Sequence, residues 1–272
     1  PIFFCSQYWG KKQTGPMKKI AAIAMYAAIF IAVVLFGLVS FFPYQAVGIF
    51  TTDEPIIEAG VSYLNVIRFT YLFFAITQIL LATMRSVETV KIAFQLSVMT
   101  FFVNCGINYV LIFGHFGAPE LGIVGAAIGT LTARIMEIIV LIFYIKKKDK
   151  KLQIRLSDYF SLDKQLAKDY TKITAPMVFT QGLWGVNTAL QTAILGHMTA
   201  TAIAANSAAS TLFLLMKSTA VGAASTASII IGKAIGVGDI EQVKSYAKRL
   251  QRLFIVIGVC SGIALFFLRV PF

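Results

Sequence analysis

The stretch Lys146–Lys172, KKKDKKLQIRLSDYFSLDKQLAKDYTK, is the only long hydrophilic run in the chain. It holds nine Lys or Arg, and apolar runs of helical length lie on both sides of it. A basic run can be a nucleic-acid tail, a solvated helix face, or a loop retained on the cytoplasmic side of a membrane. The apolar flanks select the third reading. The stretch is then a connector joining two halves of a polytopic membrane protein.

Composition agrees. The chain is 58% apolar and 13% charged, with a mean hydropathy of +0.79. Soluble domains carry about 25% charged residues. The net charge of +12 lies in loops between apolar runs, so no nucleic-acid partner is expected. The chain opens on Pro1, carries no signal-peptide pattern and stops just after an apolar run, so a fragment of a longer protein is expected. Cys5, Cys105 and Cys260 make neither a disulfide framework nor a metal-ligand spacing.

A spanning helix needs about 20 mostly apolar residues. The hydropathy predicts spans over 20–42, 60–84, 92–113 and 121–145, then, past the connector, from 173 to about 195, from about 201 to 231, and from near 243 to 268. The expected fold is all-α, a polytopic helix bundle with about seven transmembrane helices. Helices are expected because lipid tolerates only helices and closed barrels. Of the 24 basic residues, 20 fall before the first span or in every second loop after it. The intervening loops, Pro43–Ala59, Gly114–Glu120 and Gly196–Ala200, contain no Lys or Arg. That alternation puts residues 146–172 in the cytoplasm and the chain, multi-pass, in the cell membrane.

A long-period repeat is visible too. Gly10 aligns with Gly236, and Lys18 with Lys244, both at an offset of 226. The first and seventh spans are therefore equivalents, six helices apart and in the same orientation. Two parallel six-helix repeats, incomplete in this chain, are a transporter architecture with its site between the halves. The domain reading is 1–145 for the later helices of the first bundle, 146–172 for the connector and 173–272 for the early helices of the second.

Polar residues within spans are costly and should face the interior. Asn104 and Asn108 share a helix face at i and i+4, and their carbonyl oxygens suit a cation or an interhelical bond equally; Thr130 adds a third oxygen. Arg134 and Glu137, at i and i+3, read as an internal ion pair. Arg68 is expected to face the lumen, with Gln78 about three turns deeper. Gln181 and Trp184 share a face continued by Asn187 and Gln191, and Pro176 precedes them; the stripe suits a flat amphipathic ligand or plain packing. Lys217, mid-span, is a candidate proton-linked site. Small residues at Gly122, Gly125, Ala126 and Gly129, at Ala204, Ala205, Ala208 and Ala209, and at Gly222–Ser225 are read as helix-packing faces. Gly232-x-x-x-Gly236-x-Gly238 follows a membrane helix, not a strand, so it is no phosphate loop. An intramembrane enzyme is not expected: His115 and His197 sit in outer loops, and no span holds a deep Asp.

These stretches resemble the multidrug and toxic compound extrusion (MATE) family. The resemblance rests on Ser6–Lys12, on Ile231–Asp239, on Asn104-x-x-x-Asn108 with Leu111–Gly114, on Leu121–Ala127 and on Pro176–Trp184. It implies helices three to nine of twelve, with the tail of helix two in front. It also implies a V-shaped cavity and sodium- or proton-driven export of small organic cations without a cofactor, by a protein expected to act as a monomer in the lipid bilayer. By resemblance, Asn104, Asn108 and Thr130 fall in the polar cluster of the first bundle. Relatives often carry Asp at the Asn108 position and Glu at the Gln181 position, so this chain has amides where the family has carboxylates. A flippase of lipid-linked precursors, from the same superfamily, is the alternative; an anionic substrate would suit Arg68, Arg134 and Lys217.

Overall fold

The computed structural model describes residues 1–149, 151–152, 158–159, 163–196 and 198–268. Among them there is no strand. The helices are α1 (Ile2–Gly10), α2 (Thr14–Phe41), α3 (Pro43–Gly48), α4 (Glu54–Ile67), α5 (Thr70–Ser86), α6 (Lys91–Phe113), α7 (Gly122–Lys148), α8 (Lys164–Gly196), α9 (Ala200–Val237) and α10 (Ile240–Leu268). Five of these are long and apolar enough to cross a membrane, or six when the bent pair α4 and α5 counts as one span. That is fewer than the seven expected. The helix that falls short is α8, whose apolar character is diluted by Gln181, Asn187 and Gln191 and by its charged first turns.

Boundaries follow local chemistry. Pro43 ends α2 and opens α3 as its first residue. Gly114, at φ +68°, closes α6 in the left-handed region. Thr199 caps α9 by accepting the Ala202 N–H at 3.4 Å. The expected second span is broken: α4 and α5 meet at 49° across Arg68 and Phe69. Thr70 Oγ1 donates to the Ile67 carbonyl at 2.6 Å, a local back-bond of the sort that bends helices. The helical ends of the connector also run further than read, since α7 continues to Lys148 and α8 begins at Lys164.

Contacts divide the chain into two units: Pro1 with Lys18–Ala193, and Ile2–Met17 with Ile194–Phe272. In the first unit α7 is the central helix, packed on α4, α5 and α6. Gly125 lies under the Leu111 carbonyl, where a β-carbon would come within 2.7 Å. Leu121 N–H donates to the same carbonyl at 2.8 Å. The small-residue face on α7 thus does what its spacing predicts, except that Gly122 meets nothing. The connector is tied down by Lys18–Asp158 at 2.9 Å, Lys19–Asp163 at 3.4 Å, and Lys151 Nζ donating to the Val87 carbonyl at 2.7 Å.

In the second unit α1 packs along the end of α9, and α10 returns beside it. The crossing is made by the repeated glycines. A β-carbon on Gly10 would strike the Lys233 carbonyl oxygen, and one on Gly236 would strike the Gln7 carbonyl oxygen. Gly232 faces Ser6 and the Phe3 carbonyl. Gly232 and Gly236 therefore lie inside a continuous helix and admit α1 to its backbone. By contrast Ala204, Ala205, Ala208 and Ala209 are exposed, and Gly222 has open space around it.

Two outcomes follow. Gly236→Ala forces backbone apart at the α1–α9 crossing and should cost about 1–3 kcal/mol, as overpacking does. It lowers the thermal midpoint of the purified protein, whereas Gly258→Ala, in open space, does not. Asp163 is held below the usual carboxylate range first by the Leu166 N–H, then by Lys19. A depressed carboxyl stabilises the fold above its unfolded value and loses that effect as pH falls through the folded one. Asp163→Asn should therefore lower the midpoint at neutral pH, and the difference from the parent should vanish on acidification below the ordinary carboxylate range.

Candidate functional site

The first unit contains a polar site built on the α6–α7 crossing. Asn104 Nδ2 donates to Thr130 Oγ1 at 3.2 Å, and Asn108 Nδ2 donates to Asn104 Oδ1 at 3.1 Å. Thr130 Oγ1 in turn donates to the Ala126 carbonyl at 3.0 Å. At the head of this chain, Asn108 Oδ1 is buried and has no hydrogen-bond partner. A buried acceptor left unmet costs roughly 1–3 kcal/mol. Gly129 is what lets it fit: a β-carbon there would collide with the Asn108 oxygen.

Asn104 and Thr130 open onto a cavity of about 570 Å³ among α5, α6 and α7. Its other polar lining comes from Gln78 and Arg85 of α5, Ser97 and Thr100 of α6, and Arg134 and Glu137 of α7. Arg134 Nη1 donates to Glu137 Oε2 at 2.6 Å, and the Arg134 guanidinium lies 4.9 Å from the centre of the Phe74 ring. Glu137 is 4% exposed. The i,i+3 spacing thus delivers the expected ion pair, and the pairing makes that burial tolerable. Arg85 Nε donates to the Leu81 carbonyl at 3.3 Å.

The cluster offers neutral oxygens to a ligand: Asn108 Oδ1, and the remaining lone pairs of Asn104 Oδ1 and Thr130 Oγ1. Three uncharged oxygens suit a monovalent cation better than a divalent one, since no carboxylate among them offsets the charge. The nearest carboxylate lining the cavity is Glu137, and Arg134 already holds it.

Other candidates lie elsewhere. Arg68 does not line the cavity; its guanidinium sits 5.7 Å from the Phe36 ring centre and 5.3 Å from that of Phe69, with Nε buried and without a hydrogen-bond partner. The side chain sits in that aromatic clasp at the bend of Arg68 and Phe69. Gln181 and Trp184 stand on the exposed surface of α8, as do Asn187 and Gln191. Lys217 is half-exposed midway along α9 in the second unit. His115 stacks on Tyr109 at 4.3 Å beyond the end of α6, and His197 lies outside the described residues. Sequence reasoning missed Arg85, Ser97 and Thr100. The signal for the latter two was available: Ser97, Thr100, Asn104 and Asn108 recur at three- and four-residue steps along one face of α6.

A long-helix bundle with a buried polar cluster and a charge-lined internal cavity is the build of a polytopic membrane transporter. The MatE family model matches residues 2–110 and 165–272, and the chain belongs to that family, whose members are transporters. It is 25% identical over 244 residues to the probable multidrug resistance protein YoeA of Bacillus subtilis, covering 88% of this chain and 52% of that protein. It is also 25% identical over 270 residues to the probable multidrug resistance protein NorM of Bacillus cereus, covering 96% and 57%. The chain thus spans little more than half the length of these relatives. Among solved structures, the eukaryotic MATE transporter AtDTX14 superposes with a TM-score of 0.82 at 16% identity, covering 98% of this chain and 59% of that one. A MOP superfamily transporter from Pyrococcus furiosus, described as having a binding pocket of reverse polarity, superposes at 0.78 with 15% identity, covering 99% and 59%.

Gly129→Ala should displace the Asn108 carboxamide and break its bond to Asn104. A lower thermal midpoint of the purified protein, with the helical circular dichroism intact, is the expected readout.

Proposed function

We propose that this chain is part of a secondary antiporter that exports amphipathic organic cations in exchange for sodium ions or protons by alternating access. The observation that carries this reading is the open Asn108 oxygen at the end of the Asn104–Thr130 relay, inside an otherwise apolar helix crossing. In this reading a coupling ion completes that acceptor, and its binding changes the relative stability of inward and outward states. The multidrug resistance names of the curated relatives support the choice of substrate class. The bundles would comprise residues 1–145 and 173–272 with their missing partners, joined by a cytoplasmic connector at 146–172, in a monomer within the cell membrane. Gln181, Trp184 and Lys217 are proposed to face substrate, on the second bundle's side.

One observation favours a second reading. The cavity sets two guanidiniums, Arg85 and Arg134, against one carboxylate, Glu137. A net positive lining suits an anionic substrate such as a lipid-linked precursor, and the reversed pocket polarity described for the archaeal transporter is a parallel.

Reconstitution of the intact gene product into vesicles separates the two. An imposed sodium or proton gradient should drive ethidium across the membrane. Asn104→Leu should slow that flux by about tenfold or more, the equivalent of one lost ligand oxygen at roughly 1.5 kcal/mol. Absence of gradient-dependent movement for a panel of organic cations overturns the first reading. Gradient-dependent movement of a fluorescent anionic lipid, lost in Arg134→Gln, supports the second.

A further inference from the structure

The second unit contains an apolar groove that transport does not account for. It runs between α9 and α10 with a volume of about 480 Å³. Ala227 and Ile231 line it from α9, and Ala247, Leu250, Phe254 and Ile255 from α10, with Gln251 the one polar residue. The α10 residues recur at three- and four-residue steps, so they form one face.

That face changes character along its length. From Leu253 to Leu268 no charged residue occurs. From Ile240 to Arg252 there are Lys244, Lys248, Arg249 and Arg252 against Glu241 alone. Lys244 continues the groove face one turn beyond Ala247, and Lys248 lies one turn from Gln251 on its edge. All four basic side chains are exposed. Lys244 and Ile255 are about 16 Å apart along the helix, so a cationic mouth and an apolar trough lie end to end on one molecular-scale track.

We propose that this groove is a binding site for an anionic phospholipid. The phosphate sits between Lys244 and Lys248, within reach of Arg252, and one acyl chain lies along Ile231, Phe254 and Ile255. Charge complementarity selects the occupant. An apolar trough alone accepts any chain, whereas basic residues at the membrane surface add about 1 kcal/mol each toward anionic headgroups. Long basic side chains can lay their stems on apolar surface while their heads reach the interface, and Lys244 and Lys248 are placed within one turn of the groove's lining to do so. The site is independent of the antiport reading, because it uses no residue of the Asn104 cluster.

The test uses the intact gene product purified in a neutral maltoside detergent. Native mass spectrometry follows retention of phosphatidylglycerol and of phosphatidylcholine with identical acyl chains. Preferential retention of phosphatidylglycerol is expected, falling about fivefold for Lys244→Gln and again for Lys248→Gln. Phe254→Ala should weaken both lipids together. Inorganic phosphate should not compete; if it displaces the lipid fully, a free anion site replaces the lipid site. A photoreactive benzoylphenylalanine in place of Leu250 should form a lipid adduct in membranes. Equal retention of the two lipids, preference unchanged in the lysine variants, or an adduct to a peptide of the same protein overturns the proposal.

Discussion

In a medium without water, a buried amide keeps its hydrogen bonds only if another helix supplies them. That constraint organises the first unit. Gly125 and Gly129 strip α7 down to its backbone, α6 descends onto it, and Asn104, already bonded to Asn108 along α6, comes within bonding distance of Thr130 as a result. The glycines and the polar residues are one device. Without the close approach, the Asn104 donor would lose Thr130 as its partner across the crossing, and only the bond from Asn108 within α6 would remain.

The same constraint explains the ion pair one turn further on. Glu137 is buried on α7, and only Arg134, three residues back, makes that burial tolerable. Phe74 closes over the guanidinium and supplies its quadrupole in place of water. Arg68 solves the problem differently. No carboxylate pairs with it among the described residues, so two aromatic faces clasp it at a helix break. Two arginines at depth thus take two routes, one through a carboxylate and one through rings.

Much of this was readable from the residues. The spans read over 92–113 and 121–145 fall on α6 and α7, and the Asn104–Asn108 face follows from a spacing of four. The i,i+3 spacing of Arg134 and Glu137 gave the ion pair, since helix geometry alone sets that distance. What escaped left no distinctive mark in the residues. The break at Arg68 and Phe69 depends on a back-bond from Thr70 that any Thr in a helix could make. The contribution of Arg85 depends on where α5 ends relative to α6. The exposed alanines of α9 show the converse: a small-residue face permits close packing but does not cause it, and only a partner helix decides.

The glycine repeat carries the argument furthest. Gly10 touches Lys233, and Gly236 touches Gln7. Both Gln7 with Lys233 and Gly10 with Gly236 are separated by the same 226 residues. Ser6 and Gly232, facing each other, are separated by that interval too. A contact in which residue i of one copy meets residue j of the other, and the reverse, is the signature of two-fold symmetry. The duplicated segments therefore pack on each other within the second unit, as subunits of a homodimer would. A sequence divided at its connector assigns α1 and α9 to different halves, whereas contacts place them together, because each copy's glycine stands against the other copy's backbone. Substituting one glycine alone spoils both halves of the contact, since each stands against the backbone of the other's segment.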